Sequence, residues 1–384
     1  MESDLFEQDH ELFRDSVRGF VDKHVVPNLE KWDGDRLIDR DTWLSAGKQG
    51  LLGLSVPEEY GGPGELDYRF RVVIQSEIAR VGASALQSGF STNDDIVLNY
   101  LLRHATDGQK ERWLPGFVTG ETIGAIALSE PAAGSDLQGI TTTAVADGDG
   151  WILNGSKTFI TSGILADLVI VFAKTDPGAG SRSFSLFVVE EGMPGFSRGR
   201  KLDKIGLHAQ DTAELFFADV RVPKENLLGE LGKGFGYLMQ SLPLERLGIA
   251  IAAQMSAEAV MGWTLDYVKE RTAFGKRIAE FQGLGFTLAE LQTAVEVSRT
   301  YIDRCVHEYN KGTLTTVDAS KAKLWATELQ GRVIDAGVQF HGGYGYMMEY
   351  PVAKAFIDAR IQRIYGGTNE IMKEIIHRDL LKAT

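Results

Sequence analysis

The sequence predicts an α+β protein in three consecutive parts: a helical N-terminal domain, a central β-sandwich or barrel, and a C-terminal antiparallel four-helix bundle. Two observations carry this prediction. The apolar residues change period twice along the chain, from helical to strand-like and back. The 384 residues also exceed what one compact core buries, so two or three domains are expected.

Residues 1–122 form the first predicted domain. Phe6, Leu12, Phe13, Val17 and Phe20 recur at helical spacing, and Trp43, Leu51 and Leu52 continue a second periodic segment. The run Gly61-Gly-Pro-Gly64 breaks the pattern, as a loop does. Residues 123–230 form the second. Ile123–Leu128, Leu168–Phe172, Phe184–Val189 and Leu215–Phe217 are short apolar runs, and turn clusters such as Asp147-Gly-Asp-Gly150 separate them. Residues 231–384 form the third. Helical segments near 237–271, 285–311, 315–341 and 351–365 are long enough to pack as a bundle.

Composition narrows the function. Net charge is −13, which argues against a nucleic-acid partner, since binding phosphates requires a basic stripe. Cys305 is the single cysteine, so disulfides within the chain and cysteine-ligated metals are excluded and a reducing, cytoplasmic setting is expected. No apolar run reaches the length of a membrane span. The acidic start, Met1-Glu-Ser-Asp-Leu-Phe-Glu7, resembles neither a signal nor a transit peptide.

Several segments have the make-up of ligand sites. Ala127-Leu-Ser-Glu-Pro-Ala-Ala-Gly-Ser-Asp136 leaves a strand for a loop of small residues, where backbone N–H groups can approach a planar ligand or phosphate. Gly155-Ser-Lys-Thr-Phe-Ile-Thr-Ser-Gly163 reads as a strand carrying an aromatic and a threonine. Glu270-Arg-Thr-Ala-Phe-Gly-Lys-Arg277 ends a long helical pattern; Arg271 suits phosphate, and equally suits the helix dipole. Gln339-Phe-His-Gly-Gly-Tyr-Gly345 ends another helix with glycines. Each also reads as an ordinary connection when taken alone.

In family order across nearly the whole chain, these segments resemble the acyl-CoA dehydrogenases. The run Ile361-Gln-Arg-Ile-Tyr-Gly-Gly-Thr-Asn-Glu-Ile-Met-Lys373 and Tyr344-Gly-Tyr-Met-Met-Glu-Tyr-Pro351 complete the set. The resemblance implies an FAD-dependent enzyme that turns an acyl-CoA thioester into a trans-2-enoyl-CoA. It implies flavin contacts at Leu128, Ser129, Ser135, Phe159 and Thr161, with Phe159 over the ring and Thr161 donating to flavin N5. Many relatives carry tryptophan at the position of Phe159, so only packing is expected of it. Arg271, Phe274, Gln282, Gln339, Gly342 and Gly343 are implied to reach FAD across a subunit interface, and Thr368 and Glu370 to join the cofactor site. Ser135, Arg246, Tyr365, Gly366 and Gly367 are implied substrate contacts. An electron-transfer flavoprotein as acceptor and a homotetramer, as a dimer of dimers, follow from the same resemblance.

One departure matters. Much of the family places the proton-abstracting glutamate directly after the tyrosine, where this chain has Gly366. The resemblance implies that the backbone N–H at this position helps polarise the thioester oxygen, and a glycine keeps that N–H. Leu242-Pro-Leu-Glu-Arg-Leu247 is expected to open the long bundle helix, and it resembles the long-chain and isovaleryl branches, whose base sits at the position of Glu245. From Leu247 to Ala257 no charged residue follows, so that helix is expected to be buried. Glu245 shares a face with Ile249 and Ala252, and desolvation there raises a carboxylate's pKa toward that of a general base. An ordinary first-turn glutamate is the competing reading of Glu245. The motifs look closer to the long-chain branch, and a medium-to-long or branched acyl chain is expected. Two alternatives stand at this point: an acyl-CoA oxidase, and a catalytically silent CoA-binding subunit of a hetero-oligomer.

Overall fold

The computed structural model describes residues 5–382 apart from residue 177. Its N-terminal region is helical: α1 (Gln8–Phe20), α2 (Leu29–Asp35), α3 (Arg40–Lys48), α4 (Arg69–Arg80), α5 (Ser84–Ser91), α6 (Asn99–His104) and α7 (Asp107–Thr119). Asp39 caps α3 by accepting from the Thr42 N–H, and Thr106 with Gln109 forms a reciprocal cap on α7. Val17, Phe20, Trp32, Trp43 and Phe90 share one core. Leu12, one of the periodic apolar residues, instead lies 62% exposed. It sits next to Phe13, and adjacent helix positions point about 100° apart. A wider helical stretch, Thr92–Leu98, joins α5 to α6.

The central region is one eight-stranded sheet: β1 (Gly124–Ala127), β2 (Thr143–Asp147), β3 (Gly150–Thr161), β4 (Leu168–Lys174), β5 (Phe184–Glu190), β6 (Phe196–Lys201), β7 (Thr212–Pro223) and β8 (Leu227–Leu228). The strand path is β6-β7-β3-β2-β4-β5-β8, with β1 parallel to β4 in the register Gly124 to Leu168. The unbroken apolar run of β4 follows from its place in that path. Leu168, Ile170 and Phe172 enter a core shared with Leu114 and Phe117 of α7, while Val169, Val171 and Ala173 enter the core on the other face. A strand covered on both sides has no polar face to show.

The C-terminal region contains α8 (Gly234–Glu270), a small hairpin of β9 (Thr272–Ala273) and β10 (Lys276–Arg277), then α9 (Gln282–Asn310), α10 (Thr316–His341), α11 (Pro351–Asp358) and α12 (Asn369–Lys382). α8 is the helix around which the others assemble. Leu247, Ala250 and Ile251 pack with Val72 and Ala79 of α4 and with Ala322 and Ala326 of α10, which accounts for the uncharged stretch 247–257. Among the described residues no helix is long and apolar enough to cross a membrane.

Candidate active site

One expectation about Glu245 needs correction. Its segment does not open the long helix, because α8 begins at Gly234 and carries Pro243 in its interior. Glu245 therefore lies several turns beyond the positive end, and the first-turn reading fails, since a helix dipole acts only within its terminal turn. A proline inside the helix forfeits one intrahelical hydrogen bond, and the surrounding packing holds α8 together across it.

Glu245 is 8% exposed, and its Oε1 accepts from the hydroxyl of fully buried Tyr100 at 3.1 Å. Burial pushes the carboxyl up to about 7; the Tyr100 hydrogen bond and the Arg246 charge oppose that rise without cancelling it. The guanidinium of Arg246 turns away toward a different element. Its Nε donates to the Gly366 carbonyl at 3.4 Å, and Nη1 donates to Ser320 Oγ at 3.4 Å.

The turn after Tyr365 is fitted to this helix. Gly366 and Gly367 have φ of +64° and +88°, a region that side chains avoid. A Cβ at position 366 would meet Ile249 Cδ1 at 2.4 Å. Ile249 is the residue one turn after Glu245, so a side chain at 366 would have to displace the end of an α8 side chain as well as adopt a strained φ. Lys323, fully buried on α10, donates to the Gly367 carbonyl at 2.8 Å and to Asn369 Oδ1 at 3.3 Å. Both glycine carbonyls are thus tied back, while the Gly366 N–H has no hydrogen-bond partner among the described residues.

Two further sites are built in the same chain. Lys157, fully buried on β3, donates to the Leu128 carbonyl at 2.9 Å and to Glu130 Oε1 at 2.9 Å. The Thr158 N–H donates to the Ser129 carbonyl at 2.9 Å. These bonds lock the small-residue loop onto β3. A register shift after Lys157 then throws Phe159 outward, with φ of +60° and 72% exposure. Thr161 ends β3, and Ser135 is exposed on the loop. In the bundle, an open cavity of about 460 Å³ is lined by Tyr267, Arg271, Gly342, Gly343 and Tyr344 among others. A Cβ on Gly342 or Gly343 would meet nothing within 4 Å. Phe274, at φ +52° on the hairpin turn, is 97% exposed. The cavity lining includes no residue of 128–161. The structure therefore brings Arg271, Gly342 and Gly343 together, and leaves Phe274 outside. Gln282 and Gln339 are exposed on α9 and α10.

The chain matches three family descriptions in order: "Acyl-CoA dehydrogenase, N-terminal domain" over residues 7–121, "middle domain" over 125–220 and "C-terminal domain" over 232–381. It is 49% identical over 379 residues to the mitochondrial long-chain specific acyl-CoA dehydrogenase of Sus scrofa, covering 98% of this chain and 87% of that one. The chain belongs to the acyl-CoA dehydrogenase family. The mitochondrial isovaleryl-CoA dehydrogenase of Solanum tuberosum is 39% identical over 381 residues, covering 98% and 92% of the two chains. The crystal structure of an acyl-CoA dehydrogenase from Geobacillus kaustophilus superposes with a TM-score of 0.96 at 50% identity, covering 99% of this chain and all of that one.

Around the motifs of this acyl-CoA dehydrogenase the structure adds residues that the sequence did not reveal. Tyr100 and Lys323 both reach the Glu245–Gly366 corner, from α6 and α10. Lys323 left a faint signal, as a lysine on the small-residue face of Ala319, Ala322 and Ala326. Tyr100 left none, because a buried tyrosine on a helix normally reads as core. His341 proves packed, with Nδ1 2.7 Å from the Gly337 carbonyl and its ring stacked on Tyr267. Thr368 Oγ1 accepts from the Ile371 N–H at the start of α12, and Glu370 is exposed in that first turn.

Proposed function

We propose that this acyl-CoA dehydrogenase desaturates medium-to-long or branched acyl-CoA thioesters between the α and β carbons, with Glu245 as the base. The observation that carries the reading is the pairing of Glu245 with Gly366. A buried carboxylate near pKa 7 is matched to proton abstraction at neutral pH. The turn beside it holds a positive φ that disfavours any side chain, yet its N–H has no partner among the described residues and is free for a developing enolate oxygen. The 49% identity to a long-chain enzyme, against 39% to an isovaleryl one, supports the long-chain side of that range.

The residues present fit FAD. Phe159 is an exposed aromatic on β3 beside a loop braced by Lys157, and the Arg271 cavity offers a cation and two glycines that leave space for a ligand. Bound FAD supplies the acceptor for the β-hydride. Leu128, Ser129, Ser135, Phe159 and Thr161 would hold its flavin end, and Arg271, Phe274, Gln282, Gln339, Gly342 and Gly343 its adenosine end, with Thr368 and Glu370 nearby. Arg246, Tyr365 and Gly367 would position the thioester. The two sets lie on separate parts of one chain, which supports a homotetramer in which the second set serves a partner's cofactor. An electron-transfer flavoprotein is the proposed acceptor. A cytoplasmic setting fits the single cysteine, Cys305, which is buried and unpaired.

Anaerobic flavin reduction by a panel of acyl-CoA chain lengths tests this reading. Wild type bleaches with the matching thioester, and Glu245→Gln slows the bleaching by about 10²–10⁴-fold. A Gln variant as fast as wild type removes Glu245 from the role. A flavin that no thioester bleaches makes the chain a silent subunit, and rapid peroxide formation in air makes it an oxidase.

A further inference from the structure

We propose that Lys323 is a positioning residue of the desaturation: with Arg246 it fixes the Gly366–Gly367 turn and lends it the positive charge that a developing enolate answers. This rests on the Gly366 N–H receiving the thioester oxygen. The contacts run through the turn itself. Lys323 Nζ donates to the Gly367 carbonyl at 2.8 Å, and its Cε lies 3.8 Å from where a Cβ on Gly366 would stand. From the side of α8, Arg246 Nε donates to the Gly366 carbonyl at 3.4 Å. Two cations thus hold consecutive carbonyls of one turn, and the Gly366 N–H is left unpaired among the described residues.

Packing does not explain the charge. Lys157 and Lys323 are both fully buried. Lys157 meets the Glu130 carboxylate at 2.9 Å, so its charge is answered within the fold. The Lys323 ammonium instead donates to neutral oxygens, the Gly367 carbonyl and, at 3.3 Å, Asn369 Oδ1. Two acids act on it through space, and both are turned to other tasks. Glu328 accepts from Asn369 Nδ2 at 2.8 Å and pairs with Arg363 at 3.5 Å, while Glu370 is exposed. Arg246, 3% exposed, likewise donates to neutral groups, the Gly366 carbonyl and Ser320 Oγ.

Burial and the neighbouring Arg246 charge push the Lys323 ammonium down to about 8, which leaves it charged at neutral pH without a contacting counter-ion. An apolar side chain of the same volume would fill the space without that desolvation. The proposed reaction supplies what is missing. When Glu245 takes the α-proton, the C–H electron pair moves toward the thioester oxygen, and negative charge passes from the acid to the turn that Lys323 holds. Cations already in place meet that charge without rearrangement.

The test uses the FAD-loaded enzyme and a thia analogue of acyl-CoA, in which sulfur replaces the β-carbon, so the α-proton can leave while no hydride follows. The enolate is read from its long-wavelength absorbance against the oxidised flavin. Lys323→Met keeps the stem and removes the ammonium, and is expected to raise the pH at which the bound analogue ionises by about one unit. With an oxidisable acyl-CoA, kcat for flavin reduction should fall about 10–100-fold, the worth of a hydrogen bond from a charged group, with KM changed less than about twofold. The rising limb of the rate–pH profile should stay in place, because the charge acting on Glu245 is that of Arg246. An unchanged ionisation of the analogue, or a loss carried by KM alone, overturns the inference. So does a shift of the limb in place of the analogue's ionisation, since the lysine would then tune the base. If Lys323→Met does not fold, Lys323→Gln carries the same comparison; a chain that folds with neither makes the lysine structural and overturns the inference too. A wild type that ionises the analogue no better than the variant does leaves the Gly366 reading standing alone. A wild type that cannot ionise it at all removes both.

Discussion

At the Glu245 corner a carboxylate 8% exposed is met by a tyrosine from α6, while a lysine from α10 and an arginine from α8 pin the facing turn. At the hairpin between α8 and α9 and in the segment after α10 the picture is reversed. Phe274 is 97% exposed, Tyr346 82% and Met348 52%, and the cavity beside them is open. Both regions carry family motifs, but only the first is enclosed by the described residues. Two exposed aromatic residues and a methionine near one cavity have the character of an interaction surface. The comparison teaches that the proposed proton chemistry needs only groups enclosed within one chain, whereas the proposed cofactor contacts lie on an open surface.

The largest expected effect tests whether the base can be moved back. Gly366→Glu introduced into Glu245→Gln should leave activity down by about 10²–10⁴-fold. The new side chain would need a positive φ and the space of Ile249 Cδ1. Flavin reduction by the double variant checks this, and recovery to near the wild-type rate would show that the corner is less committed than its packing implies.

The next effect is on stability. The Glu245 carboxyl lies at about 7 in the fold and near its ordinary 4.5 in the unfolded chain. Between those values the folded state keeps a proton that the unfolded state has released, so stability falls as pH rises through the window. The full loss is about 3 kcal/mol above pH 7. Glu245→Gln carries no such penalty, and its Tm advantage over wild type should grow from pH 5 to pH 8. A constant difference would mean that the carboxylate is better solvated than its burial indicates.

At the unfinished edge, Phe274→Ser should weaken subunit association or FAD retention by about 2 kcal/mol, the scale of an aromatic anchor. It should leave the pH profile of flavin reduction in the remaining holoenzyme unchanged. Sedimentation and flavin content measure the first effect; a shifted profile would join two regions that are separated here.

How far the sequence spoke follows the same division. The two changes of period gave the three-part order because burial imposes period directly. The uncharged run from Leu247 marked α8 as enclosed. The helical segment near 237–271 matches α8, but Leu242–Leu247 was placed at its opening, whereas Pro243 lies in the interior, where packing holds the helix across it. Gly366 was legible as a missing carboxylate. The reason for it was not, since Ile249 meets that turn only through tertiary packing. Tyr100 and Lys323 were hidden for the same cause: each acts on residues more than forty positions away in the chain.

The smallest effect is the finest probe of the finished corner. The Tyr100 hydroxyl donates to Glu245 and stabilises its charged form, opposing, together with the Arg246 charge, the rise that burial imposes. Removing it with Tyr100→Phe should therefore push the carboxyl above about 7 and move the rising limb of the rate–pH profile to higher pH. At neutral pH the rate should fall severalfold, in keeping with about 1 kcal/mol for one such bond. At a pH high enough to ionise Glu245 fully, wild type and variant should converge. A purely structural role for Tyr100 would lower the plateau instead of shifting the limb, so one titration of the flavin-reduction rate separates the two. A limb that moves to lower pH would mean that the tyrosine answers the protonated acid, and that the base is tuned in the opposite sense.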